Sequence, residues 1–315
     1  MMQGQYKIQL QNGQRVSSTL SNYDKRDVFC KDAKRKWTRV IFLLHGFPDN
    51  NTSYNNVWKV ILESVPEDEK VLLLAPSMRG YEPSSQGEQS DYRMSDLAND
   101  VKSWITSISP DGVPVHLLGH DWGAIVAFKT ASMYPELVRS MACLAIPYIT
   151  NIRLWEFAWY CPDQIYHSSY MFTMSFPWLY KNRLSDTSSN SYLDRLWRCW
   201  SPTWDYTKDE IDSVKRTFKE PGVIDASTAY YRCLANPLNI SDRRWKVDFE
   251  KVPTLLLGGE RDGCMNVKLY HLEANKLASN PHVSVKILSN VGHFLHREDP
   301  TKVGELISDW FSEYP

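Results

Sequence analysis

One short stretch constrains this chain more than any other. An apolar run at 115–118 ends in Gly119-His120-Asp121-Trp122-Gly123, and an alanine-rich, helix-compatible segment from Ala124 to Tyr134 follows at once. A strand that turns into a helix within so few residues strains the residue at its tip, and glycines on either side remove side chains that would block closure. The tip carries Asp121. A carboxylate held there can attack carbon directly and form an ester, whereas a serine would first have to be deprotonated. The pattern is that of a nucleophile elbow; an aspartate that merely caps the helix is the blander and weaker alternative.

A turn of this kind needs a sheet around it. Apolar runs at 40–44, 71–75, 115–118 and 141–146 have the look of buried parallel strands. Between them, Leu97, Val101, Trp104, Ile105 and Ile108 recur at helical spacing and predict a helix over 94–108. The pattern resumes late in the chain, with strands expected at 254–257 and 283–288 and a helix near 267–277. A final helix is signalled by Asp299 as N-cap and Pro300 at the first helical position. The length of 315 residues fits about two folding units.

Composition shifts in the middle. The chain has 12 Trp, 17 Tyr and 11 Phe, and nearly half of them fall between Tyr148 and Tyr231, about a quarter of its length. Trp155/Trp159, Tyr166/Tyr170, Phe172/Phe176 and Trp200/Trp204 lie four apart, which predicts helices with one packed or cavity-lining face, broken by a polar loop over 185–191.

Other classes are disfavoured. A net charge of -1 from 36 basic and 37 acidic side chains gives no field to gather nucleic acid. No stretch approaches the roughly 18 apolar residues of a membrane span, and the first residues lack a signal core. Six scattered cysteines, Cys30, Cys143, Cys161, Cys199, Cys233 and Cys264, contain no CxxC pair. They fit reduced thiols in a cytoplasmic protein better than a disulfide framework or a metal site.

Two further elements must exist if Asp121 is a nucleophile. The first is an oxyanion hole, and His45-Gly46-Phe47-Pro48 follows the run at 40–44. The backbone N–H groups of Phe47 and Trp122 could hold the oxyanion formed when water attacks the ester. The second is a base and its orienting acid, in the chain order nucleophile, acid, histidine. Asp262 follows the strand expected at 254–257, and His293 follows the one expected at 283–288. Glu260 competes with Asp262 for the acid role and His296 with His293 for the base; the earlier choices fit the pattern better. Taken singly each motif is ordinary, a Gly-Pro loop, a helix cap, a loop histidine, but their joint order is not.

On these residues the chain resembles a soluble epoxide hydrolase of the α/β-hydrolase fold across nearly its whole length. The matching motifs are His45-Gly46-Phe47-Pro48, Gly119-His120-Asp121-Trp122-Gly123, Asp262 and Gly292-His293. The resemblance implies an α/β architecture with a mostly parallel central sheet flanked by helices. It implies a core from residues 1–147 and 246–315 and an inserted helical cap over 148–245. It also implies two cap tyrosines that donate to the epoxide oxygen, matched here by Tyr170, seven residues before Pro177, and by Tyr231, just before Arg232. Only one of Tyr230 and Tyr231 can face the site, because neighbouring helix residues point about 100° apart. Ser175 and Phe176 depart from the family's usual stretch, which bears on pocket shape. The implied partners are a small apolar epoxide and water, with no cofactor and no metal. Oligomeric state is not legible.

Two rivals share these features. A haloalkane dehalogenase would use the same aspartate with Trp122 as a halide donor, although Phe47 stands where such enzymes often carry a polar residue. A catalytically silent protein of the same fold would bind an apolar ligand, but would have no need of Asp121, Asp262 and His293 together.

Overall fold

Strands that are apolar at every position belong inside a sheet covered on both faces, and that is where this chain places them. The computed structural model describes residues 4–11, 13–29, 37–109 and 112–315; Cys30 lies outside them. One eight-stranded sheet runs through the molecule. Its strands are β1 (Gly4–Gln9), β2 (Val16–Ser21), β3 (Arg39–Leu44), β4 (Val71–Pro76), β5 (Val115–His120), β6 (Ser140–Leu144), β7 (Thr254–Gly259) and β8 (Val283–Leu288), in the spatial order β1-β2-β4-β3-β5-β6-β7-β8. From β4 to β8 all neighbours are parallel, and β1 and β2 add an antiparallel edge. The alternating residues of the N-terminal stretch form that edge.

Side chains alternate across the sheet as the two-residue period requires. Val40, Phe42 and Leu44 of β3 enter one core, with Leu72 and Leu74 of β4 and Val115 and Leu117 of β5. Ile41 and Leu43 enter the other, with Leu73, Leu118, Leu255 and Leu257. The first core is roofed by the Met94–Ile108 and Trp122–Met133 helices, the second by the Asn55–Glu63 and Pro300–Glu313 helices, which supply Trp58, Ile307 and Phe311. Asp299 caps the last helix as expected, its side chain accepting the Lys302 N–H at 3.0 Å.

Between β6 and β7 the chain leaves the sheet and runs through the helices Leu154–Tyr160, Gln164–His167, Tyr170–Ser175, Pro177–Leu184, Tyr192–Trp200, Lys208–Lys219 and Val223–Ala235. The loop expected over 185–191 separates two of them, and Ser191 and Thr207 open helices with reciprocal capping boxes to Asp194 and Glu210.

The aromatic spacing misleads in part. Trp155 and Trp159 are 58% and 80% exposed, so that pair marks an outward face rather than a packed one; Tyr166 and Phe172 are also on the surface, while Tyr170, on a different helix from Tyr166, packs inward. Phe172 and Phe176 do touch, at 4.6 Å between ring centroids. Trp204 lies beyond the helix that ends at Trp200 and stacks on Trp197 at 4.8 Å. Spacing of i, i+4 reports which residues share a face; it does not report which way that face points. The strand expected over 141–146 stops at Leu144, where Ala145 turns to φ +61°. Among the described residues Cys143, Cys161, Cys199, Cys233 and Cys264 are free thiols, and no helix is long and apolar enough to cross a membrane.

Candidate active site

The loops that leave the C-terminal ends of β3, β5, β7 and β8 gather the residues singled out above, as open α/β sheets generally do. Asp121 sits between β5 and the helix that begins at Trp122, with φ 52° and ψ -118°. That is a strained conformation for a residue with a Cβ. Close backbone approach holds it: a Cβ on Gly123 would lie 1.9 Å from the Leu44 carbonyl oxygen, and one on Gly46 would lie 2.4 Å from the Asp121 Cβ. The two glycines let the β3 loop and the elbow touch.

That contact sets the carboxylate. The Phe47 N–H donates to Asp121 Oδ1 at 2.7 Å. Among the described residues Phe47 is the only one of the two expected oxyanion donors bonded to the carboxylate; Trp122 flanks it, buried. His45 fixes the loop from behind, Nδ1 donating to the Gly46 carbonyl at 3.0 Å and Nε2 accepting the Met78 N–H at 3.0 Å. Burial lowers its pKa to about 4, so the ring is neutral.

His293 and Asp262 lie on the other oxygen's side. His293 Nε2 is 3.7 Å from Asp121 Oδ2, and Nδ1 donates to Asp262 Oδ2 at 3.0 Å. Asp262 Oδ1 accepts the N–H groups of Cys264 and Met265 at 2.7 and 2.9 Å. Burial alone would strip the proton from His293, but Asp262 and Asp121 outweigh it and raise its pKa to about 10. At neutral pH the ring is an imidazolium between two carboxylates.

The alternatives separate cleanly. Glu260 is exposed and accepts the Asn290 N–H at 3.4 Å, away from His293. His296 turns the other way: its Nε2 meets Ser53 Oγ at 2.6 Å, Ser53 donates to Asp49, and Arg297 Nη1 lies 3.2 Å from Asp49 Oδ1. Asp49, His120 and His296 bring potential ligand atoms within 4.8 Å of one another. Arg297 beside Asp49 already supplies the positive charge there, so this cluster suits an ion pair better than a metal ion.

The helices between β6 and β7 close the site from the opposite side. Tyr231 is buried on the Val223–Ala235 helix, its ring 4.9 Å from Trp122, 5.4 Å from Phe47 and 5.8 Å from Tyr170. Its hydroxyl has no hydrogen-bond partner among the described residues. Tyr230 points elsewhere and donates to the Arg79 carbonyl at 2.6 Å. Tyr170 is half-buried, 4.7 Å from Trp200, which is 5.1 Å from His293. Burial raises both phenols well above their ordinary value, and the Asp121 charge adds to it in each.

Motif reading missed the residues that tie these parts together. The Trp200 carbonyl accepts the N–H groups of both Gly263 and His293 at 3.0 Å, so one helix end pins the loops carrying the acid and the histidine. The side chains of Gln164 and His167 clamp the loop after Asp262. Only the Gly263 and Gly292 positions hinted at this, since a Cβ at either would strike the backbone of Cys199 or Ser201.

Residues 39–300 match the family described as the alpha/beta hydrolase fold. The chain belongs to that family. Among its relatives are Epoxide hydrolase 4 of Homo sapiens, 27% identical over 280 residues with 87% of this chain and 72% of that protein covered, and Epoxide hydrolase 3 of Mus musculus, 28% identical over 270 residues with 84% and 68% covered. Potato (Solanum tuberosum) epoxide hydrolase I has the same fold, with a TM-score of 0.70 at 18% identity, covering 98% of this α/β-hydrolase and 99% of the potato chain.

Proposed function

We propose that this α/β-hydrolase is an epoxide hydrolase that converts an apolar epoxide and water into a vicinal diol. The observation that carries the reading is the pair of phenols beside Asp121, one of them with no hydrogen-bond partner among the described residues. A halide leaves as a stable anion that needs hydrogen-bond donors but no proton. A strained oxygen that must leave as an alkoxide needs one.

The chemistry follows from the two carboxylate oxygens. Oδ2 attacks an epoxide carbon, the C–O bond breaks, and its electron pair moves onto the ring oxygen, which takes a proton from Tyr170 or Tyr231. Asp121 is now an ester and has lost its charge. One of the two carboxylates that held His293 protonated is gone, so its pKa falls; the ring returns its proton to the phenolate left by ring opening and can act as a base. Water then loses a proton to His293 Nε2 and adds to the ester carbon. The charge collects on Oδ1, where Phe47 donates, and one such donor is typically worth about a hundred- to a thousandfold in rate. Collapse releases the diol and restores the carboxylate, while Asp262 holds the ring orientation throughout. In this reading residues 148–245 are a lid on a core of 1–147 and 246–315, and no cofactor takes part.

Intact mass spectrometry of His293→Gln mixed with styrene oxide checks it. The expected result is protein plus one substrate mass, because the ester forms and its hydrolysis stalls. An unmodified protein, with wild type turning the substrate over, would remove Asp121 as nucleophile.

A further inference from the structure

The two phenols at the site are not equivalent. Tyr231 has an unpartnered hydroxyl, whereas the phenol oxygen of Tyr170 accepts from Cys264 Sγ at 3.6 Å, a normal distance for a thiol donor. Cys264 is buried and lies two residues beyond Asp262, whose Oδ1 accepts its N–H at 2.7 Å. The same loop grips the helical segment that leads into Tyr170. Gln164 Nε2 donates to the Cys264 carbonyl at 2.9 Å, Gln164 Oε1 accepts the Asn266 N–H at 2.9 Å, and His167 Nδ1 donates to the Gly263 carbonyl at 2.7 Å. The loop that orients the histidine's acid therefore also sets the height and rotation of one phenol.

We propose that Cys264 is a positioning residue for Tyr170: its S–H donates to the phenol oxygen, leaving the phenol O–H for the oxygen of the opening ring. This rests on the epoxide-opening reading. As the phenol proton moves to that oxygen, negative charge grows on Tyr170, and a donor already aimed at the phenol stabilises it. The thiol keeps its own proton throughout. Burial, together with the nearby Asp262 and Asp121 charges, holds the thiol well above its ordinary pKa, so it stays a donor and is no nucleophile. Among the described residues no thiol reaches Tyr231, whose phenolate form is favoured instead by the neighbouring Trp122 and Tyr170 side chains, and the two phenols should carry unequal shares of the ring-opening step.

The test is a double-mutant cycle read by single-turnover ester formation with styrene oxide. Removing a neutral hydrogen bond with Cys264→Val should slow ester formation about threefold in the wild-type background. The loss should be larger in Tyr231→Phe, where Tyr170 is the sole acid, and absent in Tyr170→Phe; Cys264→Ser should restore the rate. A purely structural thiol would give the same loss in all three backgrounds, and that result overturns the proposal. A second readout needs no substrate. The infrared S–H band of Cys264, assigned by difference from Cys264→Ser, should shift to higher frequency in Tyr170→Phe. An unshifted band overturns the contact whatever the activity, whereas a shifted band with no epoxide opening by wild type overturns the functional reading and with it the thiol's part in catalysis.

Discussion

The two sides of the site are built differently. At the C-terminal edge of the sheet, groups that carry charge are fixed by directional bonds from the backbone: Phe47 to Asp121, Cys264 and Met265 to Asp262, and the Trp200 carbonyl to the loop that bears His293. On the helical side, Tyr170 and Tyr231 are held mainly by ring edges from Trp122, Phe47 and Trp200, with one thiol contact to Tyr170, and the Tyr231 hydroxyl has no hydrogen-bond partner among the described residues. A buried charge without partners is too costly to keep. A buried neutral hydroxyl without one costs about 1–3 kcal/mol, which a ligand oxygen would relieve. The carboxylates of the sheet side are thus bonded in the resting state, with His293 Nε2 facing Asp121 Oδ2 at 3.7 Å without a hydrogen bond, and the helical side is incomplete until something binds.

The largest effect should come from the satisfied side. Asp121→Ala is expected to lower kcat/KM for an aryl epoxide by four or more orders of magnitude with circular dichroism unchanged; residual turnover near wild type would end the comparison. On the incomplete side, Tyr170→Phe and Tyr231→Phe should each slow ester formation about ten- to a hundredfold, and the double variant more than either. The Tyr231→Phe protein should unfold at the same or higher denaturant concentration than wild type, since it loses an unpaired buried hydroxyl. A clear loss of stability would mean that the hydroxyl is paired after all.

The backbone contact that makes the sheet side possible can be broken separately. Gly123→Ala forces a methyl group onto the Leu44 carbonyl and should lower unfolding stability by about 2–4 kcal/mol, whereas a surface change such as Trp159→Ala should move it by less than about 0.5 kcal/mol. A separate effect is a pH dependence. The pKa of His293 is raised from 6.5 to about 10 in the folded protein. Its contribution to stability is therefore complete below about pH 6.5 and is lost as pH rises through about 10. Denaturant midpoints of wild type should fall across that window more steeply than those of His293→Gln; parallel curves would remove the imidazolium from the resting site.

Much of this was legible in the chain. Continuous apolar runs at 40–44, 71–75, 115–118 and 254–257 could satisfy their backbone only inside a sheet covered on both faces, and the order of the motifs at 45–48, 119–123, 262 and 293 follows from where the loops leave it. Other features were not. Pattern position favours His293 over His296, only three residues on, but not the partner of either ring, which the fold sets: His293 meets Asp262 at 3.0 Å and His296 meets Ser53 at 2.6 Å. The aromatic pairs at 155/159 and 166/170 share one spacing, yet Tyr170 reaches the site and Trp159 is 80% exposed.

By itself the sequence determined the sheet, the elbow and the carboxylate at its tip, because hydrophobic periodicity and glycine placement are local and act within a few residues. Tertiary structure alone decided that the Trp200 carbonyl pins two loops at once, that the Tyr231 hydroxyl, unlike that of Tyr230, has no hydrogen-bond partner among the described residues, and that Cys264 reaches Tyr170. Those contacts join residues 63 to 151 positions apart in the chain, and no local pattern encodes the direction in which a helix between two strands will turn its face.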